Sequence, residues 1–125
     1  MIHVLIIEDE PAIARGLSLL ITKNYPDFQI SGICKNGRDG LQKILELKPE
    51  LVFTDITMPV MNGLDATKII REENKEIPII MQTAYAFSSD KENAMNAGAS
   101  EVLVKPITLS ILRGTLTKYF PELVW

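Results

Sequence analysis

Apolar residues along this chain fall into two kinds of grouping that alternate from end to end. Continuous runs of strand length occur at Val4-Leu5-Ile6-Ile7, at Leu51-Val52-Phe53-Thr54 and from Ile77 to Met81. Such runs are the pattern of strands covered on both faces. Phe28 to Ile33 is a weaker run, diluted by Ser31 and Gly32, and is expected at a sheet edge; Val102 to Val104 is a short fifth strand.

Between the runs, apolar residues recur at helical spacing. The inward stripes read as Ile13, Leu17, Leu20 and Ile21, then Leu41, Ile44 and Leu45 with Leu47 near the end, then Leu64, Ala66, Ile69 and Ile70. The last helix carries Leu109, Leu112, Leu116 and Phe120. Pro11 suits a first helical position, Asn36 an N-cap, Ser88 or Ser89 another, and Gly98 a helix end. Pro49 and Pro121 stop the helices before them.

Five strand–helix units imply a parallel α/β sheet with helices on both faces, because each crossover returns the chain right-handedly. Ligands of such open sheets bind beyond the carboxyl ends of the strands. Glu8 and Asp9 end the first run, Asp55 ends the third, and Thr83 and Lys105 stand at the ends of two more. A carboxylate leaving a buried strand costs free energy unless something offsets its desolvation. Three acids, a hydroxyl and a lysine at that edge read as one site for a divalent cation and a phosphoryl group.

Composition narrows the picture further. The 125 residues fit one domain, the net charge of −3 comes without a basic block, and nothing suggests nucleic-acid contact through this domain. No apolar run approaches membrane-spanning length, and a strand begins almost at Met1, so neither a membrane segment nor a signal peptide is expected. Cys34 is alone and agrees with a reducing cytoplasm; Cys34 and His3 together cannot build a zinc site and read as packing or surface residues. The domain is assigned to residues 1–120, with 121–125 as a tail that docks back or begins a linker.

Four motifs in order carry a resemblance: Ile6-Ile7-Glu8-Asp9-Glu10, Thr54-Asp55-Ile56-Thr57-Met58-Pro59 with Met61-Asn62-Gly63, Gln82-Thr83-Ala84, and Gly98-Ala99 leading to Lys105-Pro106. Over essentially its full length the chain resembles a response-regulator receiver domain of two-component phosphorelay systems. The resemblance implies a flavodoxin-like doubly wound sheet of order 2-1-3-4-5 with five helices, and a cytoplasmic signalling switch rather than an independent enzyme. It implies that Asp55 accepts a phosphoryl group from a sensor histidine kinase or histidine phosphotransfer protein. Thr83 would be the switch hydroxyl, Lys105 the phosphate contact and Lys105-Pro106 a cis bond. Mg²⁺ would be held by Asp9 and Asp55 directly, by Glu8 through water and by the backbone carbonyl of Thr57. Homodimers or complexes with a target would form through the last two helices and the fifth strand.

The residue types suit that chemistry on their own terms. Mg²⁺ prefers oxygen ligands and keeps several waters. A carboxylate can form an aspartyl phosphate, and phosphoryl transfer asks mainly for positioning and charge stabilisation. Each piece also has a plainer reading: Glu8-Asp9-Glu10 before Pro11 could serve a helix dipole, Thr83 could be a strand-end threonine, and Lys105-Pro106 could be a turn. It is their coincidence at one sheet edge that points to a site.

Two departures from the family pattern stand out. Val102 occupies the position where the family places Tyr or Phe, so the usual aromatic relay is lacking. Thr57 and Tyr85 border the expected path of a hydrolytic water without offering a carboxylate or amide, which implies a long-lived phosphoryl form. Rival functions fit less well. An aspartate-nucleophile phosphatase of the haloacid dehalogenase type needs an Asp where Thr57 stands. A flavin-binding module would find Glu8-Asp9-Glu10 repelling its phosphate, and a purely interaction-based receiver would not need a complete acid pocket.

Overall fold

Val4, Leu5, Ile6 and Ile7 are fully inaccessible to solvent in the computed structural model, which describes residues 1–56, 61–84 and 88–123. Burial of consecutive residues requires cover on both faces of the strand, and the fold supplies it. The elements run β1 (Ile2–Ile7), α1 (Pro11–Asn24), β2 (Phe28–Cys34), α2 (Gly37–Leu47), β3 (Leu51–Asp55), α3 (Gly63–Glu73), β4 (Ile79–Thr83), α4 (Ser88–Ala97), β5 (Glu101–Val104) and α5 (Leu109–Tyr119). All pairings are parallel, in the order β2-β1-β3-β4-β5. The expected doubly wound sheet is therefore present, with the diluted second strand at its edge.

Alternate residues of each strand enter opposite cores. Val4, Ile6, Leu51, Phe53 and Ile80 pack with Leu17 and Ile21 of α1 and with Leu112 and Leu116 of α5. Leu5, Ile7, Val52 and Ile79 pack on the other side with Leu41, Ile44 and Ile70. Leu123 rests against the first of these cores, so the tail turns back onto the domain as far as that residue. Val124 and Trp125 lie outside the described residues.

Several sequence expectations are corrected. Strand β4 begins at Ile79 rather than Ile77, because Asn74 Oδ1 accepts from the N–H groups of Glu76 and Ile77, both at 3.0 Å. Pro78, which has no N–H, joins the ladder only through its carbonyl, accepting from Val52 N. Leu45, Leu47, Ile69 and Leu109, placed on inward stripes by periodicity, are exposed. On α2 the inward places go to Gly37 and Gly40. A Cβ on Gly40 would lie 2.4 Å from Ile7 Cδ1, so the helix rides close on the sheet and Leu45 turns outward. On α3 and α5, Thr67 and Thr115 take inward positions that a purely apolar stripe leaves out.

The punctuation is largely as read. Pro11 opens α1, Asn36 Oδ1 caps α2 by accepting from Asp39 N at 2.9 Å, and Gly98 adopts φ +110° after α4. Helix α4 starts at Ser88, but its cap lies outside the described residues. Asn62 repeats the Asn-x-x-Asp cap on α3 through Asp65 N, and Thr108 caps α5 through Ile111 N. These two caps went unread although the spacing matches that of Asn36.

Candidate functional site at the carboxyl edge of the sheet

Asp55 is set by the neighbouring strand β4 and by the start of helix α3. Its register partner on β4 is Gln82, and Gly63 at the start of α3 comes so close that a Cβ there would lie 2.1 Å from the Asp55 carbonyl oxygen. Only glycine permits that approach, and Gly63 N donates to Ile56 O at 2.9 Å to hold it. Glu8 is fixed from the other side of β3, its N–H donating to Cys34 O of the edge strand.

Ligand oxygens of Glu8, Asp9 and Asp55 lie within 4.8 Å of one another. Glu8 and Asp55 are buried, and Asp9 is half-buried. Lys105 reaches into the cluster, its Nζ standing 2.8 Å from Glu8 Oε1 and 3.4 Å from Asp55 Oδ2. The peptide bond between Lys105 and Pro106 is cis, as the resemblance implied. Lys105 N donates to Thr83 O at 2.8 Å, which ties the lysine to the strand that carries the buried Thr83.

The electrostatics follow from this packing. Burial drives the Glu8 carboxyl up to about 7, with the Asp55 charge adding to the rise and Lys105 opposing it. Burial pulls the Lys105 ammonium down, but its hydrogen bond to Glu8 and the charges of Asp55 and Glu8 outweigh that and leave it raised. Desolvation, more than the neighbouring Asp55 charge, is the cause of the Glu8 shift.

The sequence thus located Glu8, Asp9, Asp55, Thr83 and Lys105, and the structure brings them to one edge. Unforeseen was the partner of Lys105, which pairs more closely with Glu8 than with the acceptor candidate. Gln82, quoted only as part of a motif, is fully buried with its side-chain Nε2 unpartnered. A polar residue in an apolar strand was the available signal. Thr57, expected to offer a carbonyl, and Tyr85, expected to shield the phosphoryl group, lie outside the described residues. Val102 packs beside Met81, Ala94 and Ala99, and an aliphatic side chain occupies the relay position.

Comparison with known proteins gives the lineage. The sequence model described as the response regulator receiver domain matches residues 4–117. This chain belongs to that family. As a receiver domain it falls among phosphoacceptor regulators, not independent enzymes, and its acidic cluster matches the Mg²⁺-coordinating motif of such domains. It is 37% identical over 116 residues to the chemotaxis protein CheY of Thermotoga maritima, covering 93% of this chain and 95% of that one. It is 34% identical over 119 residues to a probable C4-dicarboxylate response regulator, DctR, of Halalkalibacterium halodurans, covering 95% of this chain but 51% of that protein. The chain therefore spans about half the length of that relative, and 29% of a protein-glutamate methylesterase/protein-glutamine glutaminase from a Nocardioides species.

Among solved structures, a chain of the CheX–CheY–BeF3–Mg complex from Borrelia burgdorferi superposes with a TM-score of 0.87 at 25% identity, over 95% of this chain and 89% of that one. A LuxR-family DNA-binding response regulator from Staphylococcus aureus gives 0.86 at 28% identity, over 94% and 98%. No helix among the described residues is long and apolar enough to cross a membrane.

Proposed function

We propose that this receiver domain takes a phosphoryl group from the histidine of a sensor kinase or phosphotransfer protein onto Asp55. The observation that carries the reading is one buried carboxylate at a strand end, flanked by two further acids and a lysine within contact. An Asp55 oxygen attacks phosphorus, the new O–P bond forms as the N–P bond to the histidine breaks, and the imidazole keeps the nitrogen electron pair.

The donor set fits a hard divalent cation, since it offers clustered carboxylate oxygens and no softer ligand. Asp9 and Asp55 would hold Mg²⁺ directly, Glu8 through water, and the Thr57 carbonyl would complete the set. When bound, the ion supplies neutralising charge to the phosphoryl oxygens. Lys105 supplies a compact positive charge on the opposite flank, exchanging its contacts with Glu8 and Asp55 for the incoming oxygens. Thr83 offers a hydroxyl donor, and its backbone link to Lys105 passes any displacement of β4 to β5.

The readout surface in this proposal is α4, β5 and α5, used for self-association or for a target. Met95, Val104, Leu109 and Ile111 are exposed there, which supports it. With Val102 at the relay position, the change must travel through the β4–β5 backbone rather than a turning ring. Incubation with acetyl phosphate and Mg²⁺, followed by intact-mass analysis, tests the acceptor. One phosphoryl adduct is expected, lost with EDTA and absent in Asp55→Asn; an adduct that persists in Asp55→Asn overturns the assignment.

A further inference from the structure

The sheet ends in two unlike edges. Strand β5 is four residues long, and its first residue, Glu101, is charged and engaged by Lys118 and Tyr119. Short, charged edges resist pairing with other chains. Strand β2 is seven residues long, and Phe28–Cys34 contains neither a charged residue nor a proline. Ile33 on this strand is 48% exposed and shares a shallow groove with Leu19 of α1, which is 45% exposed.

The backbone shows which groups this edge offers. Peptide groups of successive strand residues point alternately to the two sides of the strand. Cys34 O accepts from Glu8 N on the β1 side, so Ile33 directs its N–H and C=O groups away from the sheet. Asp27 O accepts from Ile2 N, and counting on by the same alternation Ile30 also directs its groups outward. Ser31 between them is an extra residue, skipped where the register passes from Val4–Ile30 to Leu5–Gly32. Ile30 packs with the core on the α1 face, and Ile33 lines a groove with Ala14 and Leu19 of α1, so both side chains lie on one face. Residues opposed in an antiparallel pair share a face, and those that exchange both hydrogen bonds turn their peptide groups to the partner strand. Ile30 and Ile33 meet both conditions for each other.

Charge selects the orientation. Asp27 just before β2 and Lys35 just after it are exposed, and neither enters an ion pair found among the described residues. Antiparallel pairing of two β2 strands places Asp27 of each copy beside Lys35 of the other, whereas parallel pairing would set like charges together. Arg15 adds positive charge at the Lys35 end, and Glu8, which lines the same groove, is already held by Lys105.

We infer that β2 is a pairing edge for a second copy of this chain. Two domains join across a two-fold axis through antiparallel β2 strands, and Ile30 of each exchanges backbone hydrogen bonds with Ile33 of the other. The axis passes beside the Ser31 bulge, so each half of the ladder joins a stretch before one bulge to a stretch after the other. The pairing needs no phosphoryl group, and its test stands apart from the role of Asp55.

The unphosphorylated full chain is followed by sedimentation velocity and by amide hydrogen exchange at micromolar to millimolar concentrations. A dimer should form with rising concentration, and the amides of Ile30 and Ile33 should gain protection as it does. Ile33→Pro should abolish it, since proline is tolerated on an edge strand where the N–H faces solvent but cannot donate to a new neighbour; a dispersed NMR spectrum verifies that the variant is folded. Asp27→Lys and Lys35→Glu should each weaken the dimer about tenfold, because two like-charge pairs replace two attractive ones. The double variant, and an equimolar mixture of the two single variants, should associate like the original chain. A monomer at every concentration, a dimer that survives Ile33→Pro, or a double variant as weak as the single ones would overturn the inference.

Discussion

The two ends of the sheet are built from the same strands yet obey opposite rules. Towards the amino ends, Val4, Leu5, Leu51, Val52, Phe53, Ile79 and Ile80 are fully buried and apolar. Towards the carboxyl ends, beside the still apolar Ile7 and Met81, the buried residues become Glu8, Thr54, Asp55, Gln82 and Thr83. Apart from Thr67 and Thr115, these are all the buried polar residues found among those described. Hydrophobic burial stabilises the first region, at about 25 cal/mol per Å² of apolar surface. In the second, desolvated charge works against stability and is retained for chemistry. Stability and function are therefore separable here by position along a single strand.

Strand β3 gives the sharpest test of that separation. Phe53→Ala should destabilise by about 3–5 kcal/mol, since it removes a fully buried ring from the main core. Asp55→Asn, two residues on, should leave metal-free stability unchanged or higher, because it removes one negative charge from a cluster of three acids facing a single lysine. Urea unfolding of both variants in EDTA measures the contrast. An Asp55→Asn protein as unstable as Phe53→Ala would show the acceptor carboxylate to be structural.

Lys105 is where the separation should be least clean. Lys105→Met leaves Glu8 buried without its 2.8 Å partner, and an uncompensated buried carboxylate is costly. Glu8 escapes part of that cost by taking a proton, since burial already holds it near 7. The expected loss is about 2–3 kcal/mol at pH 8, shrinking at pH 6, by urea unfolding at both values. A variant equally destabilised at both would mean that Glu8 stays charged throughout.

The same carboxyl sets the pH response of the metal-free protein. Glu8 titrates near 7 folded and near 4.5 when unperturbed, so between those values the folded state holds a proton that the unfolded chain has released. Its contribution to stability is thus full below 4.5 and is lost as pH rises through 7, the reverse of an ordinary ion-paired acid. From pH 5.5 to 8 the loss should be about 2 kcal/mol, and Glu8→Gln should flatten it. Stability that instead rises over this interval would mean that the ion pair with Lys105 outweighs burial.

How far the sequence reveals these regions differs in the same way. Strands covered on both faces announce themselves as unbroken apolar runs, so the sheet and its edge strand were legible. The acids were legible because each interrupts such a run at its end. Helix faces were harder, since periodicity ranks Leu45 and Ile69 above Gly40 and Thr67, while the packing distance to Ile7 selects the glycine. Which acid Lys105 prefers depends on side-chain reach across two strands, and the burial that raises Glu8 is a property of the assembled layers. Neither is encoded in spacing.

The smallest effect should come from Leu45, and it tests whether an apolar residue must be inside to matter. Leu45 on α2 is 66% exposed, while Ile70 on the neighbouring helix is 5% exposed in the core. Ile70→Ala removes buried surface and should cost about 2–5 kcal/mol. Leu45→Ala removes little and trades a good helix former for a slightly better one, so its change should stay within about 0.5 kcal/mol. Urea unfolding at two protein concentrations decides the case. If Leu45→Ala loses more than that, and the loss grows with concentration, then Leu45 is covered in solution by a second molecule and its part of α2 is an interface. If the loss is large at every concentration, the exposed position assigned to Leu45 is wrong, and the close seat of Gly40 on Ile7 does not hold.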